Sequence, residues 1–138
     1  MGRILAIDYG NKRVGLAATD TLQLIANPLE TVHAKDVLVY LQTYLQREPV
    51  DAFVVGMPSR LSGEPTDATQ HVVGFVRQLQ KAFPAVPVHT LDERFTSRMA
   101  KQAMLAGGLK KKARQDKGTV DRVSAAIILQ SYLESRTI

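Results

Sequence analysis

The chain of 138 residues contains no cysteine, which excludes disulfide bridges, thiolate zinc sites and a cysteine nucleophile, and suits a reducing compartment. Long apolar runs are missing too. Stretches such as Ala125 to Leu129 fall far short of the roughly 18 residues that a membrane-spanning helix needs. Only Ile4 to Ile7 separate Arg3 from Asp8, too little for the apolar centre of a secretory leader, and Ala6 stands where a myristoylation motif requires Ser or Thr. A cytoplasmic protein without a membrane partner is therefore expected. The histidines, His33, His71 and His89, are scattered without zinc-ligand spacing. Neither a Gly-X-X-X-X-Gly-Lys-Ser/Thr loop nor a Gly-X-Ser-X-Gly elbow occurs, which argues against P-loop nucleotide hydrolysis and serine hydrolysis. No internal repeat or interdomain linker breaks the chain.

What remains is an ordinary globular composition, 45% hydrophobic and 22% charged, at a length that buries one core, so residues 1–138 read as a single domain. The formal charge is +5, and half of the 18 basic residues lie between Arg94 and Arg122, against only Asp116 and Asp121. Such an asymmetry suits a phosphate-facing surface.

Periodicity supplies the architecture. Ile4 to Asp8 reads as a central strand, apolar on both faces. Val14 to Thr19 and Leu22 to Ala26 read as two more strands, joined through Gly10-Asn11 and Asp20-Thr21 turns into an antiparallel meander. A helix over residues 36 to 47, a strand from Asp51 to Gly56, a helix from Thr66 to Phe83 and a strand from Val86 to Leu91 follow. Thr96 or Ser97 caps a further helix through Leu105, the basic loop Leu109 to Lys117 comes next, and a last helix runs from about Thr119 to Glu134. The implied fold is α/β, a five-stranded mixed sheet with helices on both faces: a three-strand meander, then two parallel strands.

In such a sheet, functional groups gather beyond the carboxyl ends of the parallel strands. Asp8 and the Asp92-Glu93 pair lie at such ends. Asp121 falls in the first turn of the last helix, and Ser124, Ala125, Ile128 and Leu129 place it on a largely apolar face. Small Ser124 and Ala125 let that helix approach the sheet. Three converging acids repel one another unless a cation is bound, and carboxylate oxygens suit Mg²⁺ or Mn²⁺. A hard-metal site on a basic domain points to phosphate chemistry. Each acid also has a plainer role: Asp8 in a turn, Asp92-Glu93 and Asp121 as dipole-complementing residues, Asp121 as a partner of Arg122 or Arg94.

These residues resemble those of the YqgF family, also called RuvX, the pre-16S ribosomal RNA nucleases related to Holliday-junction resolvases. The resemblance covers essentially the whole chain in order: Asp8-Tyr9-Gly10 with Lys12-Arg13-Val14-Gly15, Val55-Gly56-Met57-Pro58 with Gly63, Asp92-Glu93-Arg94-Phe95-Thr96-Ser97, and Lys117-Gly118 leading to Asp121 and Ser124-Ala125-Ala126. It implies an RNase H-like fold and a metal-dependent nuclease site, with Asp8, Glu93 and Asp121 as catalytic and metal-binding acids and Asp92 as a fourth candidate. The loop Ser59 to Pro65 departs from the commoner family pattern, and the last helix offers one acid where the resolvases have a second.

The leading reading is a nuclease using Mg²⁺ or Mn²⁺ on structured RNA, at the 5′ end of pre-16S ribosomal RNA, with Lys12, Arg13, Arg94, Arg98, Lys110, Lys111 and Lys112 binding nucleic acid. Ribosomal particles and a second copy of the chain are further candidate partners. The alternatives are an RNA-binding ribosome-assembly factor with weak or no catalysis, and a resolvase acting on branched DNA. A third class, an actin-like ATPase using Lys12 and Gly15 in a phosphate loop, needs two lobes where 138 residues supply one.

Overall fold

The computed structural model describes residues 2–58, 66–93 and 117–136. Strand β1 (Arg3–Tyr9) turns back as β2 (Arg13–Thr19), and β3 (Ala26–His33) returns alongside it. A single 3-10 turn leads into helix α1 (Val37–Arg47), followed by β4 (Val50–Met57), α2 (Asp67–Ala82) and β5 (Val88–Asp92). Helix α3 (Lys117–Arg136) is the last described element. The expected helix from Thr96 or Ser97 and the basic loop from Leu109 lie outside the described residues, apart from Lys117.

The sheet has the strand order β3-β2-β1-β4-β5. Among the first three strands β2 runs antiparallel to both β1 and β3, and β4 runs parallel to both β1 and β5. This is the expected meander joined to parallel strands. Alternation of side chains along β1 sorts the core into two layers. Leu5 and Ile7 face α1 and α2, where they meet Phe53, Leu41, Phe75 and Leu79. Ile4 and Ala6 face α3, where they meet Ala17, Val54, Ala125 and Ile128. Helix α2 begins where a capping box satisfies its first amides, with the Thr66 hydroxyl accepting from the Thr69 backbone and the Thr69 hydroxyl accepting from Thr66.

The third strand lies elsewhere than the sequence suggests. Leu22 to Ile25 forms a loop, and β3 begins only at Ala26, where that reading had the strand end. The Asp20 carboxylate accepts backbone N–H bonds from Leu22, Leu24 and Ile25 at 2.8 to 3.1 Å. Gln23 sits in the left-handed region at φ 58°. Its side-chain amide donates to the Gly2 carbonyl and the Asp51 carboxylate, and its oxygen accepts from Arg136. An aspartate that captures the following amides competes directly with strand pairing, so three apolar side chains here do not make a strand. Pro28 is accommodated because β3 is an edge strand with a register shift opposite Leu16 and Ala17.

Candidate active site

Asp8 projects from the same face of β1 as Ile4 and Ala6, the α3 face, one residue beyond the last pair made with β4, Ile7 with Val55. It is rigidly held. Across the antiparallel pair it stands opposite Gly15, while next to it Tyr9 points to the other side and stacks on Phe75 with ring centroids 4.3 Å apart. Gly10 lets the turn close, since a Cβ there would come within 2.7 Å of the Arg13 carbonyl.

Two glycines make room for the other acids. A Cβ on Gly15 would collide with the backbone carbonyl of Asp121. The first turns of α3 therefore lie directly on β2, and Thr31 fastens this end of the helix by donating to the Gly118 carbonyl at 2.6 Å. On the far side of Asp8, a Cβ on Gly56 would come within 2.6 Å of both the Glu93 carboxyl carbon and Ile128 Cδ1. Glu93 directly follows β5, and its backbone N–H bonds to the Met57 carbonyl at 3.0 Å. Its carboxyl thus lies over β4, beside Asp8.

Burial pushes the Asp8 carboxyl up from 3.8 to about 6, with the charge of Asp121 adding to the rise. Burial likewise pushes Glu93 from 4.5 to about 7, with further contributions from the charges of Asp8 and then Asp92. Asp8 is the shared neighbour. It feels Asp121 on one side and is felt by Glu93 on the other. Asp92 is exposed, on the strand position that alternates away from Leu91 and Glu93.

Asp121 is itself engaged. Its Oδ2 accepts from Arg13 Nε at 2.7 Å, with the Asp121 side chain 19% exposed and that of Arg13 46%. The expected partner Arg122 turns instead to Thr119, donating to its hydroxyl. Among the described residues no three His, Cys, Asp or Glu side chains stand close enough to grip one ion together. Lys12 is exposed in the β1–β2 turn, where its carbonyl accepts from Ala34 N at 2.9 Å. Arg94, Arg98, Lys110, Lys111 and Lys112 lie outside the described residues.

Sequence reasoning credited the close approach of the last helix to Ser124 and Ala125. Ala125 is indeed fully buried, but the decisive absences of side chain are on the sheet, at Gly15 and Gly56. The signal was present in the Lys12-Arg13-Val14-Gly15 and Val55-Gly56 motifs, as glycines inside strands, which mark close approach of other groups.

Asp8 and Glu93 are desolvated carboxyls from separate chain segments, hard oxygen donors of the kind that suits a divalent cation, while Asp121 is paired with Arg13.

Comparison with known proteins agrees with this fold. A protein of Parabacteroides distasonis named "Putative pre-16S rRNA nuclease" is 57% identical over 136 residues, 99% of this chain and 97% of that one. A protein of the same name from Porphyromonas gingivalis is 50% identical over 135 residues, 98% of each. Among solved structures, T. thermophilus RuvC in complex with a Holliday junction substrate superposes with a TM-score of 0.61 at 18% identity, covering 98% of this chain and 96% of that one. At that identity the likeness shows a shared fold, RNase H-like. The RuvX family model, described as Holliday junction resolvase, matches residues 2–135, and with relatives of this identity over nearly the whole chain, the protein belongs to the RuvX family of nucleases.

Proposed function

We propose that this chain is a divalent-metal-dependent, cytoplasmic nuclease that trims the 5′ end of pre-16S ribosomal RNA, acting as one domain through Asp8, Glu93 and Asp121. The observation that carries the reading is the pair of desolvated carboxyls, Asp8 and Glu93, raised toward neutrality at the carboxyl ends of β1 and β5 beside the first turns of α3. Buried acids that repel one another cost stability, and an arrangement of this kind persists where a cation relieves it. Mg²⁺ or Mn²⁺ held by these acids would supply Lewis-acid activation of the hydrolysing water and charge compensation at the phosphodiester.

The chain's own residues supply the rest. β1 and β4 hold Asp8 in a fixed place, so little reorganisation is needed on reaction. Lys12 and Arg13 stand at the mouth of the site, where they meet backbone phosphates, and Arg94, Arg98, Lys110, Lys111 and Lys112 are further candidates for phosphate contact. Contacts of this kind read the phosphate backbone rather than base sequence, so binding falls steeply with salt. The names of the relatives favour a ribosomal RNA precursor over branched DNA.

The test is cleavage of a 5′-extended 16S precursor and of a four-way DNA junction, with Mn²⁺ or Mg²⁺, by the wild-type and Asp8→Asn proteins. Loss of a residue that merely supports a metal ligand typically costs about 10–100-fold, so removal of a ligand is expected to abolish RNA cleavage by more than that while the fold persists. Undiminished cleavage by Asp8→Asn sinks the assignment. Salt-sensitive RNA binding without cleavage by the wild type moves the function to an RNA-binding assembly factor.

A further inference from the structure

Arg13 is the first residue of β2, two before Gly15, and so shares the face on which α3 lies. It reaches Asp121 with only one of its nitrogens. Nε donates to Oδ2 at 2.7 Å, and among the described residues the two terminal amino groups make no hydrogen bond. A guanidinium used in this way retains a free pair of parallel donors, the geometry that suits a phosphate. With its side chain 46% exposed, that free edge is reachable from solvent.

The same contact decides what Asp121 can do. Its carboxylate is compensated by a cation from the protein, and the described acids do not gather into a three-ligand cluster. Asp121 lies near enough to Asp8 for their charges to interact. Serving a guanidinium and serving a metal ion therefore compete for the charge of one carboxylate and for its Oδ2. An incoming phosphodiester seated on the free edge changes the balance, because it competes with Asp121 for the guanidinium charge and draws the side chain off the Nε contact.

We infer that Arg13 is a positioning residue that withholds Asp121 from the divalent-metal site until a nucleic-acid phosphate takes its guanidinium, so that metal and nucleic acid bind with positive coupling. The inference rests on the metal assignment proposed above. By linkage the coupling is reciprocal: nucleic acid tightens metal binding by the factor by which metal tightens nucleic-acid binding. A pair whose arginine is half exposed is a weak restraint, which places the coupling at the low end of the usual range, about five- to tenfold.

The experiment measures Mn²⁺ dissociation constants by paramagnetic resonance of free Mn²⁺. It uses the full chain, alone and with a phosphorothioate RNA hairpin, after subtracting Mn²⁺ held by the hairpin itself. In the wild type the hairpin is expected to tighten Mn²⁺ binding about five- to tenfold. Arg13→Gln should bind Mn²⁺ tightly without RNA and gain nothing further from it. Arg13→Lys keeps a cation beside Asp121 but loses the paired donors, so it should resemble the wild type without RNA and show reduced tightening with it. Mn²⁺ affinity in Arg13→Gln equal to or below that of the wild type, or the same tightening in both, overturns the inference. Asp8→Asn separates the two levels. Loss of Mn²⁺ binding there keeps the metal site whatever Arg13 does, whereas wild-type binding overturns the metal site and this inference together.

Discussion

Asp8 and Asp20 are both aspartates near the ends of adjacent strands, yet they lie at opposite ends of the sheet and behave in opposite ways. Asp20 is solvent-exposed and held below its usual value, chiefly by the backbone N–H of Ile25, with those of Leu24 and Leu22 helping. Asp8 is buried, raised to about 6, and its identified electrostatic neighbour is another acid, Asp121. The Asp20 end is a region whose polar groups find partners in the protein: Gln23 ties Gly2, Asp51 and Arg136 together, and Thr19 accepts from the Ile4 amide. At the Asp8 end burial and neighbouring negative charge raise both Asp8 and Glu93. One end satisfies its acid with backbone N–H groups, and the other buries its acids beside like charge.

The sharpest way to break this contrast is Gly15→Ala. The added methyl meets backbone of α3 rather than a movable side chain, and overpacking of that kind costs about 1–3 kcal/mol or more. Chemical denaturation should show this loss, and Mn²⁺ binding should weaken with it because Asp121 is displaced. A stability within error of wild type would mean that α3 does not lie on β2 as described. Gly56→Ala should behave differently, since its methyl meets the ends of the Glu93 and Ile128 side chains. Little stability and much metal affinity should be lost, as read by the same two measurements.

A smaller effect concerns pH. Asp8 and Glu93 have folded-state values of about 6 and about 7, above their unfolded values of 3.8 and 4.5. Between about pH 4 and 8 the folded state therefore binds more protons than the unfolded state, so these two groups make stability fall as pH rises through about 7, the raised Glu93 value, and the loss levels off only about one pH unit above it. Thermal midpoints of the metal-free protein should decline across that window. Asp8→Asn should flatten the decline and raise the midpoint at pH 8. A midpoint lower than wild type at pH 8 would show that the Asp8 charge is not under strain. The smallest expected change is at the other end, where Asp20→Ala frees the Leu22, Leu24 and Ile25 amides. It should lower the midpoint slightly and leave Mn²⁺ binding and RNA cleavage intact; lost cleavage would show that the two ends are not independent.

Much of the fold was legible because it is written in periodicities that tertiary structure does not override. Val37 and Leu41, or Val72 and Leu79, are spaced as one face of a helix and are buried as one. The third strand was misplaced because Leu22, Leu24 and Ile25 carry strand-forming composition, whereas the outcome is decided by the side chain of Asp20, a local competitor that a hydrophobic pattern does not register. At the site, the acids were readable from their places at strand and helix ends. Their electrostatic state was not, because it depends on burial and on distances between segments far apart in the chain. The pairing of Asp121 with Arg13 belongs to the same class. Both residues were singled out, but for separate tasks, and only the docking of α3 over Gly15 shows that they meet.

That docking also has a consequence in time. Arg13 and Asp121 are 108 residues apart in sequence, so a chain emerging during synthesis completes the first hairpin, with Asp8 already in it, long before α3 is made. Until that helix settles onto Gly15 the acids have no common site. A chain arranged in this way brings Asp121 up to Asp8 only when folding is nearly complete.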